Sequence, residues 1–120
     1  MEKFWGKHYL LDCAGCDKSL IKSEYNIKAF LKVLVQEIDM VAYGDPILAH
    51  FATHDPSKGG YTFVQMIETS LIDGHLVDET GDAYISVHSC KDFQEDVVKF
   101  VVNQFFMPES IKDNVVIRKA

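Results

Sequence analysis

Only two stretches of this chain space their apolar residues as a helix does, and both sit among segments short enough to be strands. In the first, Ile27, Phe30, Leu31, Leu34 and Ile38 recur at offsets of three and four, after a Ser23 suited to open a helix. In the second, Lys91 to Phe106, one side carries Phe93, Val97, Phe100, Val101 and Phe105, and Pro108 closes the segment. The rest reads as strands: Lys7 to Cys13, Ile47 to Phe51, Tyr61 to Glu68, Leu71 to Val77, Ala83 to His88 and Asn114 to Arg118. Gly44 and Pro46, the run DPSKGG from Asp55 to Gly60 and the run DETGD from Asp78 to Asp82 supply turn chemistry between them. The order β-α-β-β-β-β-α-β predicts an α+β fold, a two-layer sandwich of one antiparallel β-sheet with two helices packed on one face.

A chain of 120 residues is the size of one domain, so residues 1–120 are expected to share one core. Its 48% apolar and 25% charged residues exclude a disordered or low-complexity chain. Twelve basic against 18 acidic residues leave a net charge of -6, which argues against nucleic acid, whose binding draws on basic side chains. No stretch approaches the roughly 18 to 20 apolar residues that span a bilayer, and the opening MEKFWGKHYLLD lacks the order of a signal peptide, so a soluble cytoplasmic protein without a membrane partner is expected. Cys13, Cys16 and Cys90 are an odd number, which argues against a disulfide framework.

Cys13 and Cys16 have the C-x-x-C spacing of redox motifs and of half a zinc site. Only His88 and Cys90 are on offer as further ligands, and ordinary buried thiols are the favoured reading, with no metal. His8, His50, His54, His75 and His88 are scattered, which suits scaffold histidines. No phosphate loop, G-x-S-x-G elbow or H-E-x-x-H is present. What remains is a mid-chain constellation of Thr62, Thr69, Ser70, His75 and Cys90, which by itself reads as a polar loop and a core cysteine.

The chain resembles the short prokaryotic-type S-adenosylmethionine decarboxylases, which cut their own chain at a serine to make a pyruvoyl group. Gly6 to Cys16 is similar to that family's opening strand and Gly-Cys turn, and Ile67 to Cys90 matches without a gap. Ser70 stands at the pyruvoyl-forming serine, with His75 five and Cys90 twenty residues on, and Thr62 eight residues before it stands where the family has an assisting hydroxyl. Glu79, Gly81, Ala83 and Val87 coincide with family positions too.

The resemblance implies cleavage between residues 69 and 70. Ser70 Oγ would attack the Thr69 carbonyl, Thr62 would hold the oxyanion, and His75 would remove the Ser70 α-proton. The pyruvoyl group made from Ser70, the only cofactor implied, would take the substrate's amine as a Schiff base and draw off the electrons freed as carbon dioxide leaves. Cys90 would return a proton, and Glu79 would accept hydrogen bonds from the ribose hydroxyls. A homodimer with sites near the subunit contact is implied as well. The product would be the aminopropyl donor for polyamine (spermidine) biosynthesis.

Thr69 stands where the family has Glu, and were Thr69 the attacking residue, the His75 and Cys90 spacings would each slip by one, so Ser70 is preferred. The adenine-stacking aromatic would fall near Pro56, leaving Phe51 or His54 to substitute. These departures leave two alternatives: a pyruvoyl-dependent decarboxylase of ornithine or arginine, or an unprocessed S-adenosylmethionine-binding regulatory homologue.

Overall fold

The computed structural model describes residues 5–120. Strand β1 is Gly6–Ala14, followed by a short helix α1, Lys18–Ile21, and helix α2, Glu24–Glu37. Strands β2 (Ile47–Phe51), β3 (Gly60–Ile67), β4 (Ser70–Leu76) and β5 (Ala83–Ser89) precede helix α3 (Glu95–Phe106) and strand β6 (Ser110–Arg118). The six strands form one sheet in the order β2-β3-β4-β5-β1-β6, every neighbouring pair antiparallel. The crossovers β1 to β2 and β5 to β6 start from strands of opposite sense and travel in opposite directions. With the same hand, both deliver their helices to the same face.

Two local rules set the helix ends. Ser23 Oγ accepts from the Asn26 amide at 3.0 Å and opens α2, as its position suggested. Met107, with φ 49°, turns the chain out of α3 just before Pro108. The expected α2 face holds, since Ile27, Phe30, Leu31, Leu34 and Ile38 are all buried. The second helix differs from expectation. It starts at Glu95 rather than Lys91, because residues 91–93 are tied elsewhere: the Lys91 amide donates to Ser89 Oγ and the Phe93 amide to Asp92 Oδ1. Its buried side is Val98, Val101, Val102 and Phe106, and Phe100 is exposed. The four-residue α1, capped by Asp17, is too short to show a periodicity and was not expected.

The core lies between helices and sheet. Phe30 packs against the rings of Phe63, Phe105 and Phe106, and Tyr9, Leu11, Ile72, Ile85 and Val87 fill the sheet side. Because side chains alternate along a strand, the residues between these point to the other face, which carries no helix. There Leu10, Ile47, Phe51, Met66, Tyr84 and Val116 are exposed. No helix is long and apolar enough to cross a membrane among the described residues.

Candidate active site

The β3–β4 connection is a two-residue turn, since Ile67 pairs with Ser70 and only Glu68 and Thr69 lie between. Tight hairpins of this length favour turns with positive φ at their central residues. Here neither Glu68 nor Thr69 has one, and the positive φ, 156°, falls on Ser70. That region is sparsely populated by residues with a Cβ, and holding one there costs on the order of 1–3 kcal/mol.

Thr69 is tied at both ends. Its carbonyl accepts from the Cys90 amide at 3.1 Å. Its hydroxyl accepts from Ser89 Oγ at 2.8 Å and donates to Met40 Sδ at 3.4 Å. Ser70 itself makes no side-chain hydrogen bond among the described residues, which leaves its hydroxyl uncommitted beside a held carbonyl. The Cys90 thiol is exposed. Ser70, Thr69 and Cys90 are therefore brought together, with Ser89, which the sequence reading did not single out.

Thr62 and His75 form a second pair, at the other end of the same strands. They are direct partners in the β3–β4 register, with Thr62 Oγ1 and His75 Nδ1 2.8 Å apart. The other ring nitrogen, Nε2, lies 2.6 Å from the Lys58 carbonyl. Gly60 makes this end possible, because a Cβ there would sit 1.6 Å from the Leu76 carbonyl oxygen and its φ is 159°. Five residues of strand separate Ser70 from His75, about 16 Å at the usual rise, and an odd offset puts them on opposite sheet faces. Within one chain, the structure does not bring Thr62 and His75 to Ser70.

Glu79 lines a cleft of about 270 Å³ at that same end, with Lys22, His50, Thr53, Pro56 and Asp78. His50 Nε2 pairs with Asp78 Oδ2, while Asp78 Oδ1 is buried without a partner. Sequence reasoning offers His50 only as a scaffold histidine and Asp78 only as a turn residue. Phe51 and His54 are exposed, Phe51 at the sheet's edge and on the same face as Thr62 and His75, and His54 in the loop that follows.

The remaining cysteines belong elsewhere. Cys13 and Cys16 are buried free thiols near one end of β1; the neighbouring Cys16 sulfur and burial push the Cys13 thiol up, whereas the neighbouring Cys13 thiol lowers that of Cys16. No group of three His, Cys, Asp or Glu able to hold a metal gathers among the described residues.

Comparison with known proteins adds two positive findings. The family model for S-adenosylmethionine decarboxylase matches residues 7–119. Among solved structures, the adenosylmethionine decarboxylase from Aquifex aeolicus superposes with a TM-score of 0.83 over 99% of this chain and 94% of that one, at 24% sequence identity, a likeness of fold. No curated protein sequence matches the chain.

Proposed function

This chain belongs to the S-adenosylmethionine decarboxylase family, and from that premise we propose that it is a self-processing, pyruvoyl-dependent decarboxylase of S-adenosylmethionine, supplying the aminopropyl donor for polyamine synthesis in the cytoplasm. The observation that carries this reading is the Thr69–Ser70 peptide: a serine at a strained φ, its hydroxyl uncommitted, following a carbonyl held by a main-chain N–H. These residues fit a group that must be made from the serine itself.

The chemistry balances on the chain's own atoms. Ser70 Oγ bonds to the Thr69 carbonyl carbon, and the Cys90 N–H is placed to take the negative charge that develops on the oxygen. The C–N bond then breaks, giving an ester and a free amine. A base removes the Ser70 α-proton and the Cβ–Oγ bond breaks, so that Thr69 leaves as a carboxylate and residue 70 becomes dehydroalanine. Water adds to its imine tautomer and ammonia departs, leaving the pyruvoyl group. That group supplies the carbonyl that accepts the electrons freed on decarboxylation. The exposed Cys90 thiol would return a proton to the substrate's α-carbon, and Glu79, which lines the cleft at the His75 end, would hold the ribose.

The base for the α-proton comes from a second copy. His75 is about 16 Å from Ser70 along its own strand, beyond the reach of proton transfer. The helix-free face exposes Leu10, Ile47, Phe51, Met66 and Tyr84, and packing two such faces about a two-fold axis that runs across the strands would set the His75 end of one sheet against the β3–β4 turn of the other. In such a homodimer the partner's Thr62–His75 pair, together with the partner's Glu79, would complete each site.

Whole-protein mass spectrometry under denaturing conditions tests the reading. Fragments 1–69 and 70–120, the second with a blocked amino terminus, are expected. An intact chain after prolonged incubation overturns the proposal and leaves a non-catalytic binding protein. Carbon dioxide release from S-adenosylmethionine, ornithine and arginine then fixes the substrate.

A further inference from the structure

We propose that Ser89 is a positioning residue for cleavage at Ser70, acting through the hydroxyl of Thr69; the inference rests on the self-processing reading above. Ser89 is a polar residue with no exposure at all, at the end of β5 and directly paired with Ser70 in the sheet register. A buried hydroxyl must be satisfied, and this one is satisfied in a directed way.

The Lys91 amide donates to Ser89 Oγ at 3.0 Å, which occupies the hydroxyl as an acceptor. Its single proton has two candidate acceptors, Thr69 Oγ1 at 2.8 Å and Met40 Sδ at 3.8 Å, and the nearer oxygen is the stronger one. With its oxygen accepting from Ser89, Thr69 sends its own proton to Met40 Sδ at 3.4 Å. The result is one chain of donors running from the Lys91 amide through Ser89 and Thr69 to sulfur, each bond polarising the next.

The consequence falls on the bond to be cut. A β-branched side chain has few χ1 wells, so fixing Thr69 Oγ1 restrains the backbone that carries it. The next residue after Ser89 fixes the other end, because the Cys90 amide holds the Thr69 carbonyl. Two consecutive residues of one strand end therefore clamp the plane of the Thr69–Ser70 peptide, whose carbonyl carbon must face Ser70 Oγ for the acyl shift. Release of one clamp lets the plane rotate, and misplacement on the order of 1 Å costs about a hundredfold in rate. Thr69, where this chain departs from the family's Glu, is thereby matched to a partner of its own.

The test follows cleavage of freshly translated full-length chain over time, for the wild type, Ser89→Ala, Ser89→Thr, Thr69→Val and the Ser89→Ala/Thr69→Val double variant, with thermal unfolding recorded for each. Ser89→Ala and Thr69→Val are each expected to slow cleavage by about ten- to a hundredfold, the double variant no more than either alone, and Ser89→Thr to cleave near the wild-type rate. Ser89→Ala cleaving at the wild-type rate overturns the inference while leaving self-processing intact. Independent, multiplying effects of the two variants also overturn it, since they would mean that Ser89 does not act through Thr69. Should Ser89→Ala fail to fold, Thr69→Val decides, and an unchanged rate there overturns the inference. A wild-type chain that never cleaves overturns both this inference and the reading on which it rests.

Discussion

His75 and Thr62 face each other across β4 and β3, and the Lys58 carbonyl on the far side of the ring decides which of the two donates. A carbonyl only accepts, so Nε2 carries the proton of the neutral imidazole. Nδ1 is left with its lone pair and accepts from the Thr62 hydroxyl. In the neutral ring the tautomer is thus set by main chain, and the proposed base would act through the Thr62 hydroxyl. His75→Ala is expected to slow cleavage at Ser70 by about 10²–10⁴-fold, Thr62→Val to slow it less, and Thr62→Ser to leave it near normal, all measured as fragment appearance with time.

Sharing between copies has its own signature. A Ser70→Ala chain cannot be cut but still offers His75, and a His75→Ala chain offers an intact Ser70. Co-expressed, the two are expected to restore cleavage of the His75→Ala chain alone, read as a 70–120 fragment carrying that chain's mass tag. No rescue in a confirmed mixed dimer would place the base within the chain and remove the two-copy arrangement.

Gly60 sets the shape of the His75 end. Adding a methyl group there places Cβ 1.6 Å from the Leu76 carbonyl oxygen, and backbone on both sides leaves nothing flexible to yield. Gly60→Ala is expected to lower stability by about 3 kcal/mol or more, seen as a shifted denaturant midpoint with unchanged slope. Gly44→Ala is a useful contrast, because its φ of 68° is also left-handed but nothing lies within 4 Å of the added Cβ. It is expected to cost about 1 kcal/mol, the strain of the φ alone.

How far the sequence discloses the site depends on which interactions are local. The Ser23 cap and the α2 stripe are read within one helix and appear where the spacing puts them. Phe100 shows the limit of the same method: its spacing assigns it to the apolar side, whereas the valines at 98, 101 and 102 take the core. Alternation along a strand makes the opposite-face placement of Ser70 and His75 computable from their odd spacing once β4 is known to run unbroken through Asp73 and Gly74. The Ser89–Thr69 bond has no sequence signal, because it is fixed by the register of β4 on β5, and the turn over residues 77–82 sets that register.

Acid is expected to weaken the fold at the other side of the sheet. His8 and His88 stack across β1 and β5 with ring centroids 4.8 Å apart, with Trp5 edge-on to His88. Burial, then the neighbouring His88 and more weakly Arg118, lower the His8 pKa from its ordinary 6.5, with Asp73 opposing. A lowered pKa means that the unfolded chain binds the proton more readily than the folded one. Stability therefore falls as pH drops below about 6.5 and stops falling once pH is under the folded value. Thermal midpoints between pH 7.5 and pH 5 check this, and His8→Gln is expected to flatten the part of the slope that His8 contributes.

Cys90 divides the two halves of the proposed chemistry, because it contributes through two separate atoms. Its amide holds the Thr69 carbonyl, and a main-chain group survives any substitution except proline. Its thiol is exposed at the same strand end and takes no part in that hold. Cys90→Ala should accordingly cleave at a rate within a few-fold of the wild type, yet lose about 10²–10⁴-fold in product formation, where a proton must be delivered to carbon. Cys90→Pro removes the N–H and should impair cleavage itself. Mass spectrometry reads the first step and carbon dioxide release the second, so a Cys90→Ala chain that stays intact would assign the thiol to processing rather than turnover. A chain that cleaves and turns over normally would move the proton donor to another residue.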